Sequence, residues 1–312
     1  MTRIVCLLGP TASGKSELAL ELAARIGGEI VSADSRQIYR GLDIGTAKPT
    51  AEERARVPHH GVDVVDPEER YDAARFRAAA AAAIADIHAR GRVALVVGGT
   101  GLYLRALLRG LCPAPAAVPA LRAALGHTIA ARGTAAGHRA LAALDPDAAT
   151  RIGPRDAVRI VRALEVGLAT GVPLSRWQAE HGFGERPYDA LVIGLARSTP
   201  EIDARIAARA DAMVRAGFLD ELRAVIARGV PRTAPGLRAV GYPEMLACLD
   251  GRLGLSAAID ATVAATRRFA KRQRTWFRRE PDVAWFHPDA DRAAIADRVA
   301  AFIDADSATR GA

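Results

Sequence analysis

The chain has 312 residues, half of them hydrophobic, which is enough to bury a large core and is typical of two domains. Its 43 lysines and arginines outnumber its 35 aspartates and glutamates, a balance that favours a polyanionic partner. The longest apolar run, residues 78–85, is too short to cross a bilayer, and the three scattered cysteines lack metal or redox spacing. We therefore exclude a membrane-embedded or disulfide-rich protein and expect a cytoplasmic one with reduced, buried thiols.

The first predicted element is a buried strand at residues 4–8, followed by the octapeptide GPTASGKS. This octapeptide fits the phosphate-loop pattern G-x-x-x-x-G-K-[ST], in which backbone N–H groups at a helix N-terminus bind an anion. Lys15 would reach the terminal phosphate and Ser16 would bind Mg²⁺. A helix over residues 17–26 completes the strand, loop and helix that this mechanism needs.

Strands and helices alternate through the rest of the first third of the chain. The sequence predicts further strands and helices, in order a strand at 28–35, a strand at 61–67, a helix at 73–91, a strand at 93–101 and a helix at 102–111. This order indicates a parallel sheet covered by helices.

A change of texture at residue 113 marks a second domain. Three prolines occur within seven residues there, and arginine-rich helical sequence follows to about residue 182. A strand-like run at 190–197 then returns the chain to the sheet, and the remainder is predicted to be helical. The predicted fold class is α/β, a P-loop NTPase-like parallel sheet core with a helical insertion domain. The domains are a core of residues 1–112 and 190–312 and an insertion of residues 113–189.

The strand ends bear on the chemistry. An ATP hydrolase normally has an aspartate for Mg²⁺ after an apolar strand, whereas ALVVGGTG ends in glycines and a threonine. Asp66 is the other candidate for such an aspartate at a strand end, but its sequence context fits a turn equally well. Asp34, after the second strand, lies where open α/β folds place their sites and could take a proton from a nucleophile. It could instead cap a turn or helix, and its position alone favours neither role.

Six stretches resemble the tRNA dimethylallyltransferase family, in the family's order from about residue 3 to residue 280. They are GPTASGKS, SADSRQIYRGLDIGTAKP, GGTGLYLRALLRG, RIGPRDAVRIVRALEVGLATGVPLS, LRAVGYPEM and TRRFAKRQRTWF. Members of the family attach a five-carbon isoprenoid to an adenine beside the anticodon. The resemblance implies dimethylallyl diphosphate as donor, Mg²⁺ as cofactor and a tRNA anticodon stem-loop as acceptor, and we expect a monomer.

The resemblance implies that the phosphate loop binds the diphosphate of the donor. The implied diphosphate-binding residues are Gly9, Pro10, Thr11, Ala12, Ser13, Gly14, Lys15 and Ser16. Arg209 matches a family arginine that contacts the diphosphate, although its four-residue spacing from Arg205 also fits a solvated helix face. Ala210 stands where the family often has an aromatic residue, a departure that concerns local packing.

The resemblance also implies catalytic roles for Asp34, Thr100 and Arg209. Asp34 would act as general base on the N6 amine of adenine, and Thr100 would hold the substrate or, alternatively, cap the helix that follows it. Thr46 and Lys48 belong to the family motif without an assigned step.

A stacked adenine must be extruded from the RNA to reach a buried diphosphate, so a protein of this family must also bind the surrounding RNA. At 100° per residue, Arg267, Lys271, Arg274 and Arg278 form a basic stripe opposite Phe269, Gln273 and Trp276, a pattern that fits either RNA binding or a solvated face. The family match favours RNA. The residues predicted to contact tRNA are Asp34, Ser35, Arg36, Gln37, Thr100, Arg122, Arg159, Arg162, Arg238, Gly241, Tyr242, Arg267, Lys271, Arg272 and Arg274. Pro243 departs from an often basic position.

Three alternatives remain at this point. The loop alone would suit a small-molecule P-loop kinase, and the loop with the basic helix would suit a nucleic-acid-binding NTPase. An isoprenyltransferase acting on free adenine nucleotides is a nearer rival, which the helical insertion and basic C-terminal helix disfavour. The histidines form no recognisable metal set.

Overall fold

The computed structural model describes residues 1–310, with side chains to residue 305. The predicted core extends to residue 312, and its last two residues lie outside the described part. Two compact units are present, one made of residues 1–108 with the chain from residue 187 onward, and one made of residues 109–186.

The larger unit is built on a six-stranded sheet. Its strands are β1 (Thr2–Leu8), β2 (Glu29–Ser32), β3 (His59–His60), β4 (Ala94–Gly98), β5 (Tyr188–Leu195) and β6 (Ala284–Phe286). The strand order is β3-β2-β4-β1-β5-β6 and every pairing is parallel. The predicted α/β class with a parallel sheet core is confirmed.

Helices connect the strands and build the smaller unit. They are α1 (Lys15–Ile26), α2 (Ala51–Arg56), α3 (Ala73–Ala89), α4 (Gly101–Arg109), α5 (Pro119–Arg132), α6 (Thr134–Leu144), α7 (Pro146–Arg151), α8 (Ala157–Thr170), α9 (Leu174–His181), α10 (Thr199–Arg215), α11 (Phe218–Ala227), α12 (Tyr242–Leu249), α13 (Leu255–Phe277) and α14 (Arg292–Arg310). Helices α5 to α9 form the unit of residues 109–186.

The core of the larger unit lies on both faces of the sheet. Val5 and Leu7 of β1 pack in one apolar cluster with α1 and α14. Ile4 and Cys6 alternate with them and are also fully buried, because successive side chains of a strand point to opposite faces. A strand buried on both faces explains why its sequence is apolar without alternation.

Two predictions about strands were wrong. Residues 61–67 were predicted as a strand, but Gly61 and Asp63 have φ angles of 78° and 57°, which turn the chain. The third strand is instead β3, directly before this turn. Strand β6 was missed because three residues at a sheet edge carry too little periodicity to be recognised.

The smaller unit has its own apolar core, which includes Ile129, Leu141, Ile160 and Leu164. Four different residues from α5, α6 and α8 therefore meet in one cluster, as a separately packed helical bundle requires.

The cysteines are free thiols, but only Cys6 is fully buried. Burial raises the pKa of the Cys6 thiol to about 12, which makes it unreactive. Cys112 and Cys248 are half-buried, so the expectation of buried thiols was right for one residue of three. Among residues 1–310, no helix is long and apolar enough to cross a membrane.

Candidate active site

The phosphate loop, residues 9–16, connects β1 to the first turn of α1 at the carboxyl edge of the sheet. The φ angles of Gly9, Ala12 and Gly14 are 154°, 63° and 95°, a region that glycine adopts readily. A Cβ on Gly9 would lie 2.9 Å from the carbonyl oxygen of Leu195, so β5 leaves no room for a side chain there. The loop thus curves tightly at the N-terminus of α1, where backbone N–H groups favour an anion.

Lys15 is the cation of this loop, and its Nζ donates a hydrogen bond to the carbonyl oxygen of Pro10, 2.6 Å away. The pKa of Lys15 is lowered to about 8, mainly by burial; Asp34 opposes this shift and Arg209 adds to it. Burial likewise lowers the pKa of Arg209, and Asp34 again opposes the effect. Three predicted site residues from separate elements therefore lie within electrostatic reach of one another.

Asp34 follows the carboxyl end of β2. Its Oδ1 accepts a hydrogen bond from the backbone N–H of Arg36 at 2.8 Å, which is the turn cap allowed by the sequence. Its carboxylate also lies close enough to the phosphate loop to act electrostatically on Lys15 and Arg209. The two interpretations are compatible, because a cap on one oxygen fixes the direction of the carboxylate and leaves a second oxygen for chemistry.

Thr100 stands beside this turn. Its Oγ1 accepts the backbone N–H of Ser35 at 3.0 Å and lies 3.3 Å from the Ser35 hydroxyl. The approach is close because a Cβ on Gly98 would lie 2.1 Å from the carbonyl oxygen of Ala33, which only glycine permits. Thr100 directly precedes α4, and its hydroxyl connects the end of β4 to Ser35, the residue after Asp34.

Two residues, one from α10 and one from α13, form hydrogen bonds to the backbone of the phosphate loop. Arg205 Nε donates to the carbonyl oxygen of Ala12 at 3.0 Å. The buried Gln273 accepts the backbone N–H of Thr11 and donates to the carbonyl oxygen of Gly99, both at 2.8 Å. The sequence placed Gln273 only on the core side of α13. A polar amide on that apolar side was the available signal for its role.

Ser16 is the residue predicted to hold Mg²⁺, and it is exposed in the first turn of α1. The described residues contain no cluster of three His, Cys, Asp or Glu side chains that could hold a metal ion. Mg²⁺ commonly binds through one or two protein oxygens, several waters and the phosphates of a substrate. A single accessible hydroxyl beside an anion-binding loop fits that mode.

Lys48, which had no assigned role, organises the loop that follows Asp34. It is buried, and its Nζ donates to the carbonyl oxygen of Tyr39 at 2.7 Å and to the carboxylates of Asp63 and Asp43. Thr46 similarly donates to the carbonyl oxygen of the preceding turn. Both motif residues therefore serve the folding of this loop.

The other residues of the DSRQ motif, residues 35–37, are all half-buried but differ in their hydrogen bonds. Gln37 is committed internally, because its amide donates to the carbonyl oxygen of Ala47 at 2.9 Å and accepts from Ser32 at 3.1 Å. Ser35 and Arg36 are half-buried, which leaves part of each side chain accessible for the predicted contact with tRNA.

Two predicted tRNA contacts are contradicted by burial. Tyr242 is fully buried and Gly241 is buried beside it, so neither can reach RNA. The Tyr242 hydroxyl donates to Glu221, and burial strongly raises its pKa. Arg238 of the same block is exposed, with one nitrogen 3.3 Å from the carbonyl oxygen of Thr233. Gly241 and Tyr242 are therefore internal residues, whereas the contact of Arg238 with tRNA stays a prediction.

The three predicted tRNA-binding arginines of the smaller unit differ in their ion pairs and in their exposure. Arg122 and Arg162 both pair with the buried Glu165, at 2.6 and 3.0 Å. Burial would raise the pKa of Glu165, but these two arginines and a backbone N–H lower it overall. About a third of each arginine side chain remains exposed, so the ion pairs fix the orientation of the two side chains and leave them accessible to solvent. Arg159 is mostly exposed and pairs with Asp156 at 3.4 Å.

The basic stripe of α13 is exposed along most of its length. Arg267, Lys271 and Arg278 are exposed, and Arg272 stacks on Phe269 with its guanidinium carbon 5.6 Å from the ring centre. Arg274 is half-buried and donates to the Thr199 hydroxyl at 2.7 Å. On the opposite side Gln273 is buried, whereas Phe269 and Trp276 are half-buried, so the side predicted to face the core is buried only in part.

The departure at Ala210 has a simple packing consequence. Ala210 lies in a small apolar cluster with Ile206, Val263 and Ala270, where α10 and α13 meet. A small side chain fits this contact between the two helices, and the contact fixes the part of α10 that carries Arg209. Pro243 is exposed in the first turn of α12, where a proline is tolerated.

Family comparisons agree with these motifs. The IPP transferase family matches residues 37–280, and the isopentenyl transferase family matches residues 2–58. A tRNA dimethylallyltransferase from Anaeromyxobacter dehalogenans is 54% identical over 297 residues, which cover 95% of this chain and 97% of the relative. One from Geobacter metallireducens is 50% identical over 284 residues, covering 91% of this chain and 92% of the relative.

Solved structures give the same picture. The full-length tRNA isopentenylpyrophosphate transferase from Bacillus halodurans is 38% identical, covers 100% of both chains and superposes with a TM-score of 0.73. A eukaryotic dimethylallyltransferase described as acting on tRNA is 28% identical, with a TM-score of 0.76 over 89% of this chain and 70% of that one.

Proposed function

The chain belongs to the IPP transferase family, and from that membership we propose that it transfers dimethylallyl from dimethylallyl diphosphate to the N6 amine of adenine 37 in tRNA. The observation that carries the assignment is a carboxylate, Asp34, within electrostatic reach of the phosphate-loop lysine, Lys15, and of Arg209. A base beside a diphosphate site is what attack by an amine on an allylic carbon requires.

Departure of diphosphate is the step that the phosphate loop assists. As the bond from the allylic carbon to the diphosphate oxygen breaks, its electron pair leaves with the oxygen, and negative charge grows on the diphosphate. The loop N–H groups, Lys15 and Arg209 stabilise that charge. Ser16 would hold Mg²⁺, which would supply further positive charge there.

Asp34 acts on the acceptor. The N6 amine of adenine is a weak nucleophile, because its lone pair is delocalised into the ring. As nitrogen bonds to the allylic carbon, Asp34 takes one proton from that nitrogen, which leaves a neutral product amine. Thr100, through Ser35, fixes the turn that carries this carboxylate.

Exposed or half-buried arginines of both units, together with one lysine, bind the RNA. On α13 the residues are Arg267, Lys271, Arg272 and Arg274, in the helical unit Arg122, Arg159 and Arg162, and elsewhere Arg36 and Arg238. Each can neutralise a phosphate of an anticodon stem-loop. The working form that we propose is a monomer.

Mass spectrometry of an adenine-containing anticodon stem-loop tests the function. The wild-type protein with Mg²⁺ and dimethylallyl diphosphate should add one five-carbon unit to the adenine, and ATP in place of the donor should give no reaction. Phosphate transfer or ATP hydrolysis without isoprenoid transfer would support the kinase or NTPase alternatives instead. Equal transfer to free adenosine monophosphate would favour the mononucleotide enzyme.

A further inference from the structure

A segment beyond the family match contacts the phosphate loop. The IPP transferase match ends at residue 280, whereas β6 and the turn that follows it occupy residues 284–291. A Cβ built on Gly14 would lie 3.8 Å from Pro288 Cβ and 3.5 Å from Arg197 Nη2. This C-terminal turn and one arginine therefore border the last glycine of the loop.

Arg197 connects the turn to the loop backbone. Its Nε donates to the carbonyl oxygen of Ser13 at 3.2 Å, and its two terminal nitrogens lie 2.7 Å from the two carboxylate oxygens of Asp289. The Arg197 side chain is only 5% exposed. A two-pronged pair of this kind fixes the plane of the guanidinium as well as its position.

The turn that carries Asp289 is itself fixed. His287 Nδ1 accepts the backbone N–H groups of Asp289 and Ala290 at 3.3 and 3.2 Å, and its Nε2 lies 3.1 Å from Glu201. The backbone N–H of His287 donates to Asp291 at 2.7 Å. The Asp289 carboxylate is therefore presented by an ordered turn.

The contact at Ser13 has a geometric consequence for the next residue. The carbonyl of Ser13 and the N–H of Gly14 belong to one peptide plane, and in a trans peptide they point in opposite directions. When Arg197 holds the carbonyl, the Gly14 N–H is directed away from Arg197. Backbone N–H groups of this loop are the groups that bind an anion.

We propose that Arg197 and Asp289 are positioning residues for the diphosphate, which they serve by fixing the peptide between Ser13 and Gly14. This proposal rests on the proposed function, since it assumes that the loop binds diphosphate. It extends the donor site to a C-terminal segment that the family motifs do not include.

Two conservative variants test it. Arg197→Lys keeps the charge but cannot reproduce the planar fork, and Asp289→Asn removes the charge at a mostly exposed position. We expect either change to weaken calorimetric binding of inorganic diphosphate by about tenfold, the effect of one misdirected charged hydrogen bond. The KM for dimethylallyl diphosphate should rise similarly, while the KM for the stem-loop stays unchanged. The double variant should lose no more than Arg197→Lys alone, because the two residues act as one unit.

The matched control is Arg223→Gln, which removes an exposed arginine from a surface pair with Asp220 and should leave diphosphate binding unchanged. Unchanged diphosphate binding in folded Arg197→Lys and Asp289→Asn would overturn the proposal, as would a rise confined to the KM for RNA. A wild-type protein that binds diphosphate but transfers no isoprenoid would contradict the proposed function alone. Asp289→Asn gives the result if Arg197→Lys lowers the melting temperature too far.

Discussion

The hydroxyl of Tyr242 donates a hydrogen bond to the carboxylate of Glu221, 2.8 Å away. The same carboxylate accepts the backbone N–H groups of Asp43 and Ile44, both at 2.6 Å. Helices α11 and α12 thus fasten the loop that follows Asp34. Tyr242 of LRAVGYPEM therefore supports the loop that follows Asp34 from inside the protein.

Tyr242→Phe removes this hydroxyl and leaves the ring. We expect a loss of about 1 kcal/mol of stability, seen as a melting temperature lower by roughly 2–4 °C, with unchanged affinity for the stem-loop. Tyr71→Phe, at a half-buried tyrosine of the same apolar cluster, is the control. A large loss of RNA affinity at an unchanged melting temperature would restore the direct contact.

Asp34→Asn separates the two roles of this residue. An asparagine oxygen can still accept the N–H of Arg36, but an amide cannot take a proton from the adenine amine. We expect single-turnover transfer to fall by roughly 10²–10⁴-fold while stem-loop affinity stays within twofold of wild type. Equal losses of turnover and RNA affinity would mean that Asp34 positions RNA and is not the base.

The pKa of Lys15, lowered by burial to about 8, predicts a pH limit on donor binding. Lysine is cationic below its pKa, so the charge that attracts diphosphate is lost as the pH rises through 8. We expect kcat/KM for dimethylallyl diphosphate to fall above pH 8, since this ratio reports ionisations of the free enzyme. Lys15→Arg should be less active but should not show this decline. A flat wild-type profile to pH 9.5 would contradict the prediction.

The sequence predicted most of the core and the phosphate loop because their signals are local. An apolar strand, a glycine-rich turn and an amphipathic helix each lie within about ten residues, so Lys15 and its neighbours could be placed without knowledge of the tertiary structure. The family motif added Asp34 and Thr100, whose proximity depends on two strands meeting at one sheet edge.

The features that were missed depend on contacts between distant parts of the chain. Gln273 reaches Thr11 across 262 positions, and Arg197 reaches Ser13 across 184. Tyr242 was misassigned because the sequence LRAVGYPEM is the same whether the tyrosine hydroxyl meets RNA or a buried carboxylate. Burial, which the local sequence does not encode, decides between the two.

Arg274 tests the basic stripe through its dependence on salt. Each lost contact to a single-stranded phosphate lowers the slope of log affinity against log salt by about 0.7. Arg274→Gln should show this reduction in stem-loop binding, and Arg223→Gln on α11 should leave the slope unchanged. Identical slopes for wild type and Arg274→Gln would identify the stripe at this position as a solvated face.

Glu29, the first residue of β2, makes the stability of the protein depend on pH. Arg90 and, to a lesser degree, His60 hold the pKa of this buried carboxyl at about 2 against the opposing effect of burial. A folded-state pKa below the unfolded value means that the stabilisation is complete above pH 4.5 and is lost as the pH falls toward 2. Urea unfolding from pH 7 to pH 2.5 should show wild type losing ~2 kcal/mol more than Glu29→Gln. Because Glu29 begins the strand whose carboxyl end leads to Asp34, the variant should keep its turnover at pH 7. If wild type and Glu29→Gln lost the same free energy of unfolding between pH 7 and pH 2.5, the charge of Glu29 beside Arg90 would not contribute to stability.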